Sequence, residues 1–137
     1  MQELPARTPL PFLLIDASLS DRPIAKALAL VDYNSVAVTE QFKDGTPDQT
    51  IIQWLGFHGG IWITADERAR RVHAEEIRGA GIHILWVRRP KHGMSKKDQL
   101  LLLLWVLDPI LQEITRARGP AQFLASYSGQ RPRWKKL

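Results

Sequence analysis

The chain predicts a three-layer α/β/α fold with a mainly parallel central sheet, on three observations. Short apolar runs alternate with amphipathic helical patterns. The runs are continuously apolar, as in strands buried on both faces. The 137 residues, 45% of them hydrophobic, suffice for one core and are few for two. One domain over 1–137 is expected, with its core at about 11–127 and a basic C-terminal tail at 128–137.

The elements follow in order. PFLLID, Pro11 to Asp16, reads as the first strand, followed by a helix with Ser20 as its cap and Ile24, Leu28 and Val31 on one face. Ser35 to Thr39 is the second strand, and Lys43 to Pro47 is a polar loop. Thr46 and Pro47 suit the cap and first turn of a helix that turns Ile51, Ile52 and Leu55 inward and stops at Gly59 and Gly60. Ile61 to Thr64 is the third strand, and one helix is expected from Glu67 to the Gly79–Gly81 segment. Ile82 to Val87 is the fourth strand, trailed by the basic loop RRPKHGM. Ser95 and Asp98 form a capping-box spacing at the head of a long helix, with a kink expected at Pro109. Ala121 to Tyr127 is the last strand.

Composition narrows the function classes. Nineteen Lys and Arg against fourteen Asp and Glu give a formal net charge of +5, which favours an anionic partner, nucleic acid first. The absence of cysteine excludes disulfides and thiolate metal sites. The apolar run from Pro9 to Ile15 is too short and lacks the cleavage signal of a secretory leader. The run from Leu100 to Leu107, bracketed by Asp98 and Asp108, falls well short of the roughly 18 residues a membrane span needs. A cytoplasmic protein without a membrane partner is expected. No glycine-rich phosphate loop of dinucleotide- or nucleotide-binding type is present.

Acidic residues collect where an open parallel sheet binds ligands, beyond the carboxyl ends of its strands. Asp16 closes the first strand, Asp66 lies just past the third, and Asp48 opens the helix that leads into the third. Glu40 and Glu67 lie near the same edge. Each acid has an individual structural use: Asp66 as a helix cap, Asp48 as a first-turn charge, Asp16 as an acceptor for amides ahead of Ser18. Together they repel one another unless a cation intervenes. A hard divalent ion, Mg²⁺ or Mn²⁺, takes oxygen ligands of this kind and supports hydrolysis of a phosphodiester.

The stretches FLLIDASLS, DGTPDQTIIQWL, GGIWITADERARR and AGIHILWV, read together over Pro11 to Val87, resemble the PIN-like domain ribonucleases, in particular the compact branch that contains VapC-type toxins of toxin-antitoxin modules. The Thr64-Ala65-Asp66 step and the Pro47-Asp48 to Ile51 step carry most of the resemblance. It implies a Mg²⁺- or Mn²⁺-dependent endoribonuclease that leaves a 5′-phosphate and a 3′-hydroxyl. It also implies Asp16, Asp48 and Asp66 as the catalytic, metal-holding acids, Thr64 as their support and a cognate antitoxin protein as partner. Glu67, or more weakly Glu40 or Asp44, would be a fourth acid. The chain departs from the pattern at Ala17, where relatives of this branch often carry an acidic or polar residue.

Cations flank the acids. Arg68, Arg70 and Arg71 follow Asp66, and Arg88, Arg89, Lys91 and His92 follow the fourth strand, a placement that suits phosphates of RNA. The alternative is a solvated helix face paired to Glu75 and Glu76. In the tail, Arg131, Arg133, Lys135 and Lys136 surround Trp134, which could stack on a base; a disordered end or a partner-packing segment is the other reading. Trp54, Trp62, Trp86 and Trp105 are expected in the core. His58 and His73 lack metal-ligand spacing and receive no role. The leucine run suits either the core or a homodimer face. Two other functions remain open: a PIN-like module that binds RNA or antitoxin without cutting, and a receiver-like phosphoacceptor domain.

Overall fold

A computed structural model describes residues 11–137; the start of the apolar run, Pro9 and Leu10, lies outside the described residues. Strands β1 (Leu13–Ile15), β2 (Ser35–Ala37), β3 (Ile61–Thr64), β4 (His83–Val87), β5 (Gln122–Ser128) and β6 (Arg131–Lys136) form one sheet in the order β2-β1-β3-β4-β5-β6. The first five are parallel, and β6 runs antiparallel to β5. The first four strands need helical crossovers because parallel neighbours cannot be joined by a tight turn. Gly129, at φ 65°, sits in the tight connection that lets β6 fold back.

Helices α1 (Asp21–Leu30) and α6 (Lys96–Arg116) cover one face. There Leu102, Leu103, Val106, Leu107, Ile110 and Leu111 of α6 meet Leu13, Ile15, Ile63, Leu85 and Phe123. Helices α2 (Val38–Gln41), α3 (Asp48–His58), α4 (Glu67–Val72) and α5 (Ala74–Ala80) cover the other, over Leu14, Trp62, Ile84, Trp86 and Leu124. Two glycines shape the entry to β3. Gly59 ends α3 at φ 73°, and Gly60 lies where an added Cβ would stand 2.8 Å from the Phe12 carbonyl oxygen.

Several expectations are corrected. The second strand ends at Ala37, and Val38 onward turns into α2. The helix after β3 is two helices meeting at His73. Ala69 of the first and Ile77 of the second are both buried in the same core cluster. The hydroxyl of Thr46 donates to the Lys43 carbonyl rather than capping α3, whose flanking residue is Pro47. Ser20 makes no side-chain cap; its N–H instead donates to Gln99 of α6, joining two helices. Ser95 does cap α6, accepting from the Asp98 N–H, and α6 continues through Pro109.

The segment at 128–137 is not a free tail. Arg131–Lys136 is an edge strand, and Trp134 packs against Phe123 with ring centroids 6.0 Å apart, on the α6 face. Its ring is therefore half-buried against the sheet rather than free in a tail. Trp62 and Trp86 are fully buried, Trp54 is partly buried, but Trp105 is 67% exposed. Trp105 lies with Leu101 and Leu104 on the outer side of α6, the half of that amphipathic helix turned from the sheet.

Candidate active site at the switch point

The sheet order reverses between β1 and β3: one chain direction leads from β1 to β2, the other from β3 to β6. The crevice at such a reversal is where doubly wound sheets bind ligands, and Asp16 and the Thr64–Asp66 segment stand on its two sides. Asp16 is nearly buried, and an ionised group there needs donors. Its Oδ2 has them: the Ser18 N–H at 3.2 Å, the Ser18 hydroxyl at 2.6 Å and the Thr64 hydroxyl at 3.0 Å.

The two hydroxyls are held in turn. Ser18 Oγ accepts the Ala65 N–H at 2.9 Å, and Thr64 Oγ1 accepts the Asp66 N–H at 3.1 Å. The loops after β1 and β3 are thus locked together through Asp16, with its second oxygen left out of this network. Replacing Ser18 with Ala removes the hydroxyl donor from the carboxylate, leaves the backbone N–H, and orphans the Ala65 N–H. A stability loss of about 1–3 kcal/mol is expected, measured by urea unfolding at neutral pH; no loss would mean that the network does not order the loops.

Asp48, the first residue of α3, lines a small cleft of about 140 Å³ with Asp16, Ala17 and the Lys43–Thr46 loop, Asp44 included. Burial, and then the charges of Asp16 and Asp66, push the Asp48 carboxyl above its ordinary value of 3.8; His73 acts weakly in the opposite sense. The three aspartates therefore share one electrostatic environment. Among the described residues, none of them is ion-paired to a Lys or Arg. The nearest cationic candidate is His73, whose Nε2 is 3.9 Å from Asp48 Oδ2 and whose Nδ1 is buried without a hydrogen-bond partner.

Asp66 has a second task, since its Oδ1 accepts the Arg68 N–H and caps α4. Among the described residues no three His, Asp or Glu side chains converge as the complete ligand set of one ion. The donors still fit a hard cation that keeps much of its water and is held through one or two carboxylates. They are all oxygen, and Asp16 keeps an oxygen outside its network.

The remaining acids stand apart from this cleft. Glu67 Oε1 accepts from Arg88 Nη2 at 2.9 Å and Nε at 3.2 Å, and Glu40 lines an outer groove with Arg22 and Lys26 beside β2. Of the flanking cations, Arg89 reaches the site by donating from Nη1 to the Ser18 carbonyl at 3.1 Å. Arg68, Arg71, Arg88 and Lys91 are exposed. Arg70 instead lines a cavity at the opposite, amino edge of β4 and β5 with Arg78 and Lys136.

Sequence reasoning missed Ser18 and His73. The Ser18 signal was its position two residues after Asp16, the spacing of an Asx-type turn. His73 had none, because only the α4–α5 break brings it beside Asp48. Neither a family model, a curated protein nor a solved structure matches the chain. The arrangement is that of an α/β protein with a buried, oriented carboxylate and two further acids at its switch point.

Proposed function

We propose that this chain is a metal-dependent endoribonuclease of the PIN-like, VapC type. The observation that carries the reading is the placement of Asp16 and Asp48 in one cleft, with Asp66 beside it at the switch point, and no Lys or Arg paired to any of them among the described residues. Mg²⁺ or Mn²⁺, when bound, supplies Lewis acidity and lowers the pKa of a coordinated water. One or two of Asp16, Asp48 and Asp66 would hold it directly, and the others would act through its water shell. Ser18 and Thr64 fix the direction of Asp16, and Arg89 and Arg88 lie at the same edge to meet phosphate oxygens. A cognate antitoxin would cover this edge or offer it a cation, and the outer side of α6 is the surface for a homodimer.

Ion binding tests the reading. Because the folded pKa of Asp48 is raised, its contribution to stability without metal is fullest below the unfolded value of 3.8 and is lost as pH rises through the folded value. A bound cation removes that penalty, so Mg²⁺ or Mn²⁺ should raise Tm at about pH 7.5 and do so progressively less as protons compete towards about pH 5. The gain should be absent in Asp48→Asn, and RNA should be cut only when the ion is present. A Tm indifferent to both ions at every pH would remove the basis for the reading.

The parallel order β2-β1-β3-β4-β5 is also that of receiver-like doubly wound domains, which favours a phosphoacceptor as the second reading. Against it, β3 ends in Thr64 instead of an aspartate and Ala17 follows Asp16. Acetyl phosphate would label such a domain and leave a nuclease unlabelled.

A further inference from the structure

Thirteen of the nineteen Lys and Arg, but all fourteen acids, precede Thr115, so the chain's entire positive excess lies in its last twenty-three residues. Those residues include the β5–β6 hairpin. In an antiparallel pair, directly opposed residues share a face. The register opposes Leu124 to Lys135, Ser126 to Arg133 and Ser128 to Arg131. Leu124 belongs to the core on the α3–α5 side, so Arg131, Arg133 and Lys135 lie on that face, while Pro132 and Trp134 alternate onto the α6 face.

The helix packed on β5 and β6 is α6, on the opposite face, and Arg131, Arg133 and Lys135 are exposed. No acid is interleaved with them. Charges on an edge strand can simply block edge-to-edge pairing, but three cations in file on one face, about 6.8 Å apart along the strand, also form a linear array suited to successive phosphates. The file begins at the carboxyl edge, where the aspartates stand. Thr64, Trp86, Leu124 and Lys135 form one cross-strand row on this face, so about 14 Å separates the site's threonine from the track. Between them, at the same edge, Arg88 follows β4.

We infer that the open face of the β5–β6 hairpin is a track for single-stranded RNA, with Arg131, Arg133 and Lys135 on its phosphates and the hydroxyls of Ser126 and Ser128 beside them, leading the strand to the acidic edge. This rests on the ribonuclease reading for its direction, but binding to the track is measurable without cleavage. The partner is a polyanion in extended form, because the cations are spaced along a line.

The test compares wild type, the triple variant Arg131→Ala/Arg133→Ala/Lys135→Ala and a charge-matched control, Lys26→Ala/Lys96→Ala/Lys97→Ala on α1 and α6. Fluorescein-labelled oligouridine is titrated in EDTA over a range of salt concentrations. The track predicts that the triple variant, with Tm unchanged, loses about 2 units of the slope of log affinity against log salt, at about 0.7 per phosphate contact for a single strand, and that the control loses little. Equal losses in both variants, an unchanged slope in the triple variant, or no oligouridine binding by wild type would each overturn the track. In a parallel assay with Mn²⁺, slope loss without any wild-type cleavage would keep the track and reject the nuclease; cleavage with an unchanged slope would do the reverse.

Discussion

Asp16→Asn is expected to lower metal-dependent RNA cleavage by at least about a hundredfold, the scale on which loss of one preorganised electrostatic group acts, while the protein remains folded. Oδ2 of Asp16 accepts from Ser18 and Thr64, and an asparagine can place its carbonyl oxygen in the same position. The loops after β1 and β3 therefore stay joined. What changes is the other side of the group, where a neutral amide replaces the second carboxylate oxygen of a residue that lines Asp48's cleft. Cleavage rates measured beside circular dichroism separate these effects. Full activity in a folded Asp16→Asn protein would show that the carboxylate takes no part in the reaction.

The largest stability effect is expected from Trp86→Ala. Trp86 is fully buried on β4, lies 6.3 Å from Trp62 between ring centroids, and donates from Nε1 to Gln122 of β5 at 2.9 Å. Truncation opens a cavity in the α3–α5 face and strips the Gln122 side chain of its partner. A loss of about 3–5 kcal/mol follows, or about 10–15 °C in Tm. Trp105→Ala provides the contrast: on the exposed side of α6 it should cost no more than about 0.5 kcal/mol in the isolated chain. Comparable losses at the two positions would contradict the assignment of core and surface.

These two tryptophans also show what the sequence could reveal. Trp62 and Trp86 stand in short, wholly apolar runs bounded by turn signals, and such runs have only one stable place in an α/β protein, the middle of the sheet. Trp105 stands in a leucine-rich helical run, where a period of 3.6 marks a stripe but residues on both sides of it are apolar. The buried side is decided by which residues the sheet presents to α6. The basic end was legible in composition but not in structure. RPRWKK alternates too weakly to read as a strand, and its pairing with β5 depends on the turn at Gly129.

The acids at the carboxyl edge were legible because each follows or precedes a recognisable element, and the topology then carries them to one side. Their second role in helix caps was legible too, and Asp66 fills it. The environment of Asp48 was less accessible. Its neighbour His73 comes from a break that no glycine or proline announces, and the withdrawal of Glu67 into a pair with Arg88 joins residues that follow β3 and β4. Contacts between separate crossovers have no signature in local spacing.

The most direct measurement is cleavage of a 5′-end-labelled RNA pool by the purified protein in Mg²⁺, in Mn²⁺ and in EDTA, with the product ends identified. The account predicts cutting in either ion, none in EDTA, and fragments ending in 3′-hydroxyl. RNA that binds the protein yet survives intact in both ions would contradict it and leave a binding module built on the same acidic edge.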